Sequence, residues 1–283
     1  MLYQPPTASA TYNLRRQPRL EALDDLFRTQ QFYWFVCQVC TIFFFVSSIV
    51  SEVIDPHASL RYYQCCLASI ILSYVLVIIE IYPKSGTMSA RFRLKLIRDH
   101  NIQHLLLALV LFSSSFEVGQ IRSGLYSFVI YSMFHVSSYV LKYLSSIFFT
   151  TTRDQHRFNS ILARVVCTLN QPALFLAAIS EIVTLLISAF RFITCVLFLV
   201  VRWNLKYIMV QFAVLAVLVV FVKLRYDDNQ CTYTVVNLVD TRIDDMVNQV
   251  NDPQLLYCYY CVRDGGIKYL SWIQLPGNGP LGR

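Results

Sequence analysis

Charge is scarce in this chain: of 283 residues, only 14% are Asp, Glu, Lys or Arg, where soluble domains carry about 25%. Glycine is scarcer still, at 8 residues. Neither a P-loop nor a G-x-G-x-x-G fingerprint is present, which excludes phosphate-cradling loops of those kinds. A G-x-S-x-G nucleophile turn is also absent. Histidine occurs 5 times, without H-E-x-x-H and without the repeated His boxes of a membrane di-iron enzyme. The sequence has no N-x-[ST] sequon. Its 9 cysteines are odd in number and form no disulfide framework, so the loops on the far side of a membrane are expected to be small. The first 30 residues lack the apolar core of a signal peptide.

What the chain has instead is apolar residue. The hydrophobic fraction is 56%, gathered into long runs that a soluble core would break up. Runs fall at 32–51, 62–79, 102–116, 125–141 (extendable to 149 if Lys142 snorkels), 174–190, 192–201 and 207–222. The expected fold is all-α: a polytopic helical membrane protein of about four to six membrane helices with short hairpins, plus a small C-terminal helical tail. The parts are a cytosolic segment 1–30, a membrane domain 31–223 and a soluble tail 224–283. Several runs are only about 15 to 17 residues, or roughly 22–26 Å, short of the roughly 30 Å hydrocarbon core. They predict either spans of a thin membrane or shallow hairpins that wedge one leaflet. The polar stretch 150–171 is read as a connection closed by Pro172, and Arg191 as a break between two apolar pieces.

The formal net charge is +7. The cations lie mostly between the apolar runs, so they report orientation through the positive-inside rule and not nucleic-acid binding. Lys84, Arg91, Arg93, Lys95 and Arg98 mark the segment after the second run as cytosolic, which places the N-terminus in the cytosol. Arg202 and Lys206 conflict with that pattern. Within the basic segment, Arg91, Lys95 and Arg98 recur at helical spacing beside Phe92 and Leu96, the pattern of an interfacial helix drawn to anionic headgroups.

Polar side chains inside apolar runs are the candidate functional residues: His135, Glu181 and Arg191. Glu181 and Arg191 sit about 280° apart around a helix, so each needs a partner from elsewhere. His100 and His104 are an i,i+4 pair that could ligate a metal, though packing is the plainer role. Cys37-x-x-Cys40 and Cys258-x-x-Cys261 lack a second ligand pair. No catalytic site, metal, cofactor, nucleic-acid partner or small-molecule substrate is expected. In the tail, Val236, Val239, Ile243, Met246 and Val250 form an apolar stripe opposite Asp240, Arg242, Asp244 and Asp245. Because that helix is acidic, its stripe is expected to bury against protein and not against lipid.

Several short motifs, in order, resemble the transmembrane protein 33 family, which includes fungal nuclear-pore and ER membrane proteins. They are Phe134-His135-Val136-Ser137-Ser138-Tyr139, Asp99-His100-Asn101-Ile102-Gln103-His104, Asn170-Gln171, Ser180-Glu181-Ile182 and Leu224-Arg225-Tyr226. The likeness covers about residues 30 to 250. Two departures stand out: some fungal members carry a basic C-terminal amphipathic helix where this chain has an acidic one, and the Arg-rich patch usual after Leu-Arg-Tyr is here Asp227-Asp228-Asn229. The resemblance implies a non-enzymatic protein of the ER membrane and nuclear envelope. It would support membrane curvature and nuclear pore assembly or distribution, alongside reticulon-type or pore-membrane proteins. The residues alone leave two alternatives, a small transporter or channel using the intramembrane polar groups and a lipid-modifying enzyme built on His100, His104 and Asp99.

Overall fold

Short polar caps cut the chain into helices. Thr29 accepts a hydrogen bond from the Phe32 N–H and opens helix α1 (Gln30–Ile54). Asp55 then does two jobs in one residue. Its backbone N–H donates to the Ser51 carbonyl at the end of α1. Its carboxylate accepts from the His57 N–H at 2.9 Å, with Pro56 at the first helical position of α2 (Pro56–Ile81). Asp99 caps α3 (His100–Val118) in the same way, and Gly119, at φ +80°, ends it. Then follow α4 (Ser123–Tyr139), a π-helical turn (Val140–Leu144), α5 (Ser145–Phe148), α6 (Thr152–Leu197), α7 (Leu205–Asp228), α8 (Gln230–Val250) and α9 (Pro253–Ser271).

The computed structural model describes residues 24–82, 99–149, 151–198, 205–250 and 252–271. Among them there is no strand, and the protein is an all-α polytopic membrane protein. Helices α1, α2, α3, α6 and α7 are each long and apolar enough to cross a membrane. α4 is extended to similar length by the π-helical turn and α5.

The first two helices are longer than their apolar runs. α1 has 25 residues and α2 has 26, about 37–39 Å of helix against a core of roughly 30 Å. The apolar runs underestimate them because the helices continue through polar flanks such as Glu52, His57, Arg61 and Glu80, whose side chains point outward at the ends. Of the runs of about 15 to 17 residues, 102–116 lies in α3, of 19 residues, and 207–222 in α7, of 24, about 28 and 36 Å of helix. Pro172 and Arg191 are a correction. Both lie inside the single 46-residue helix α6. Proline removes one backbone bond without ending a helix whose remaining ladder has no better partner in an apolar setting.

Six helices close into a ring. α1 packs on α2, α2 on α3, α3 on α7, α7 on α6, α6 on α4, and α4 back on α1. The centre is filled by Tyr63, Leu67, Leu111, Leu125, Phe128 and Leu218. Some buried hydroxyls bond back to their own helices, as Thr41 does on the Cys37 carbonyl at 2.9 Å and Thr184 on the Ser180 carbonyl at 2.6 Å.

The end of the ring holding Asp55 and Gly119 is laced by polar groups. Arg122 pairs with Glu52 and Lys206 with Glu117. Arg191 donates to the Gln120 carbonyl at 3.4 Å, and the Ile121 N–H donates to the Tyr63 phenol oxygen at 3.3 Å. Lys206, which conflicted with the positive-inside pattern, is thus neutralised by Glu117. Arg202 lies outside the described residues.

Gly124 marks a close approach in the core. A Cβ there would lie 2.9 Å from Leu111 Cδ1 and 3.5 Å from Thr184 Cγ2. Gly124→Val should therefore destabilise the purified protein by about 1–3 kcal/mol through overpacking. Adding Leu111→Ala should recover part of that loss, read as thermal unfolding of the single and double variants. Equal midpoints for parent and Gly124→Val would refute the close packing.

Candidate functional site

Glu181 lies midway along α6 and faces the interior of the ring. A lone buried carboxylate costs several kcal/mol, so the surroundings must answer it. Arg225, one turn from the end of α7, reaches it with Nε 3.4 Å from Glu181 Oε2. The other arm of the guanidinium donates to the Tyr131 phenol oxygen on α4 at 2.7 Å. The second carboxylate oxygen faces His104 Nε2 on α3 at 3.9 Å. His104 Nδ1 lies 2.6 Å from the His100 carbonyl. A carbonyl only accepts, so Nδ1 carries the hydrogen and Nε2 presents to Glu181.

Aromatic rings seal the group. Tyr74 of α2 lies nearly parallel to the imidazole at 5.7 Å, and Phe128, Tyr131 and Phe221 meet it edge-on at 5.8, 5.5 and 5.3 Å. The side chains of Glu181, Arg225 and His104 are 1%, 7% and 6% exposed. Four helices thus meet around one carboxylate, and α2 reaches the imidazole beside it through Tyr74. The arrangement fixes how they pack together.

The three intramembrane residues singled out in the sequence do not form one site. Glu181 is in this cluster. Arg191 bonds at the opposite end of α6. His135 packs against Trp34 of α1, ring centroids 4.9 Å apart. His100 and His104 do not chelate: Nδ1 of His104 is committed to the His100 carbonyl, and Nε2 faces Glu181 Oε1 at 3.9 Å without a hydrogen bond. Among the described residues no group of three His, Cys, Asp or Glu is placed to hold a metal. Arg225 was singled out only within the Leu224-Arg225-Tyr226 motif and not as a site residue, and Tyr131 was missed. A cation ending an apolar run looks like an ordinary flank, and Tyr131 is one of 18 tyrosines.

The interfacial residues Arg91, Phe92, Lys95, Leu96 and Arg98 lie outside the described residues. Their flanks are joined, because the Tyr82 phenol donates to Asp99 Oδ2 at 2.8 Å. Burial and that carboxylate push the Tyr82 phenol up to about 12.

The tail stripe divides in two. Val236 and Val239 pack on the main core beside buried Thr232 and Val235, where α8 crosses α6 and α7. Beyond that edge Ile243, Met246 and Val250 are 39%, 64% and 62% exposed. The acidic face of α8 holds α9, which runs back along it. Arg263 pairs with Asp240 at 2.7 Å, and the Tyr259 and Tyr260 phenols donate to Asp240 and Asp244 at 3.0 Å each.

Two outcomes are expected from these contacts. Glu181→Leu or Arg225→Leu alone should cost about 3–5 kcal/mol, because each strands a buried charge. The double substitution should cost clearly less than the sum in chemical unfolding of the solubilised protein, and additive losses would argue against the pair. In the tail, burial and Asp240 raise the Tyr259 phenol, and the bond to Asp244 raises that of Tyr260. A raised pKa means the folded state holds the proton more tightly. The contribution is therefore complete below the ordinary tyrosine range near pH 10 and is lost as pH rises above it. Hydrogen exchange in α9 should quicken there, and Tyr259→Phe with Tyr260→Phe should remove the dependence.

Residues 21–264 match the family described as Transmembrane protein 33/Nucleoporin POM33. Searches of curated proteins and of solved structures return no match. The matched span takes in the whole ring, the buried ion pair, α8 and most of α9. The chain belongs to the transmembrane protein 33/nucleoporin POM33 family.

Proposed function

We propose that this chain is a non-enzymatic membrane protein of the ER and nuclear envelope that supports membrane curvature and nuclear pore assembly or distribution. What carries the proposal is the family match, which runs through ring and tail together. An effect on curvature would arise from the shorter helices α3 and α4, from the tail, from interfacial segments or from partners. The half-exposed stripe of α8 is the natural contact for other membrane proteins, such as reticulon-type or pore-membrane components.

A transporter would need Glu181, Arg191 and His135 to line one route. They have separate partners, and Glu181 is sealed under aromatic rings. A lipid-modifying centre on His100, His104 and Asp99 fares no better: Asp99 is engaged by Tyr82 and the α3 cap, and His104 is turned inward.

The test is location. A fluorescently tagged full chain should mark the ER and the nuclear rim, with puncta at the rim that coincide with pores. Confinement to plasma membrane or mitochondria would sink the proposal.

A further inference from the structure

The first half of α6 is too long for the membrane and too polar for its interior. Residues 174–197 already supply 24 residues, about 36 Å, enough for the span. Residues 152–171 add roughly 30 Å more. They cannot stand far from the ring. α5 ends at Phe148 and α6 starts at Thr152, so their ends are at most about 15 Å apart. Phe149 and Phe158 touch with centroids 5.0 Å apart, and α6 packs on both α5 and the π-helical turn. That end of the ring carries an aromatic cluster of Phe27, Phe32, Phe35, Tyr139 and Tyr143, the composition of a membrane–water boundary.

Around this stretch the residues sort by face. Val166 is buried, and Phe158 and Leu162 are half-buried. Next to them Ile161, Val165 and Leu169, at i, i+4, i+8, are 56%, 45% and 51% exposed. Along the adjoining edge run Arg153, Arg157 and Arg164, all exposed. Arg157 and Arg164 flank Ile161 at i−4 and i+3. None of the three arginines takes part in an ion pair among the described residues. The one acid of the stretch, Asp154, sits in the first turn, where the helix dipole favours it.

We propose that residues 152–171 of α6 form an interfacial helix that binds the anionic phospholipid headgroups of the membrane the ring spans. Ile161, Val165 and Leu169 enter the boundary between headgroups and acyl chains. Arg153, Arg157 and Arg164 hold lipid phosphates above them. Guanidinium suits this role because its fork matches phosphate oxygens in pairs. The charge of this edge separates it from the α8 stripe, whose neighbouring acids repel the same lipids.

The experiment uses the full chain in nanodiscs, with two readouts. In the first, Val165→Trp emission is compared with the parent in lipids brominated near the headgroup end of the acyl chain. Quenching beyond that of the parent is expected. No added quenching would place the segment away from lipid, as docking to another protein would, and would overturn the proposal. The second readout is retention of phosphatidylserine against phosphatidylcholine by the solubilised protein, in native mass spectrometry. The triple variant Arg153→Gln, Arg157→Gln, Arg164→Gln should lose phosphatidylserine retention roughly ten-fold or more and keep phosphatidylcholine unchanged. Because the three side chains are exposed, its thermal unfolding should match the parent. Unchanged phosphatidylserine retention would overturn the headgroup assignment even if Val165→Trp were quenched.

Discussion

A carboxylate inside an apolar ring admits few solutions, and the bond between Glu181 and Arg225 is the one on which the rest of the bundle depends. Two ions withdrawn from water must meet each other and have their remaining polar atoms answered. Here Tyr131 answers the guanidinium, the His100 carbonyl sets which nitrogen His104 presents, and Glu181 Oε1 faces that nitrogen without a hydrogen bond. Slide α7 by one residue and the guanidinium turns about 100° away. Apolar packing alone tolerates many helix registers, because one branched side chain replaces another at modest cost. The ion pair does not, so its main contribution is to select one arrangement of α3, α4, α6 and α7.

Fold class was legible in the sequence because apolar runs of that length have few other uses. Helix ends were not. A polar residue at the edge of a run, such as Glu52 or Glu80, can equally stop a helix or cap its outer face, and only the surroundings decide. Pro172 looked like a terminator for the same reason. In the candidate site, Glu181 was legible as a polar residue out of place, and its need for a partner on another helix followed from angular spacing. The partner did not. Arg225 is 44 positions away and stands where cations commonly flank a membrane. His100 and His104 show spacing misleading in another way: i,i+4 imidazoles share a helix face, but the backbone carbonyl between them claimed a nitrogen first.

The tail shows how far periodicity can be trusted. The apolar stripe of α8 is continuous in sequence and keeps one face from Val236 to Val250. The structure ends its burial at Val239, because the bundle ends there. Acidity had a use the pattern could not reveal either: Asp240 and Asp244 receive α9 and are not simply solvated. The same charges that make a poor contact for anionic lipid make a good seat for Arg263 and two phenols.

Ring order also bears on how such a protein is made. α7 is the last of the six helices to leave the ribosome, and it sits between α3 and α6. Until it arrives the circle is open, and Glu181 and His104 lie at the gap without their cation. A nascent chain that stalls before residue 225 therefore leaves that carboxylate unanswered beside an apolar gap. Closure of the ring and concealment of that charge are the same event, so the seam that α7 fills also marks the membrane domain as whole.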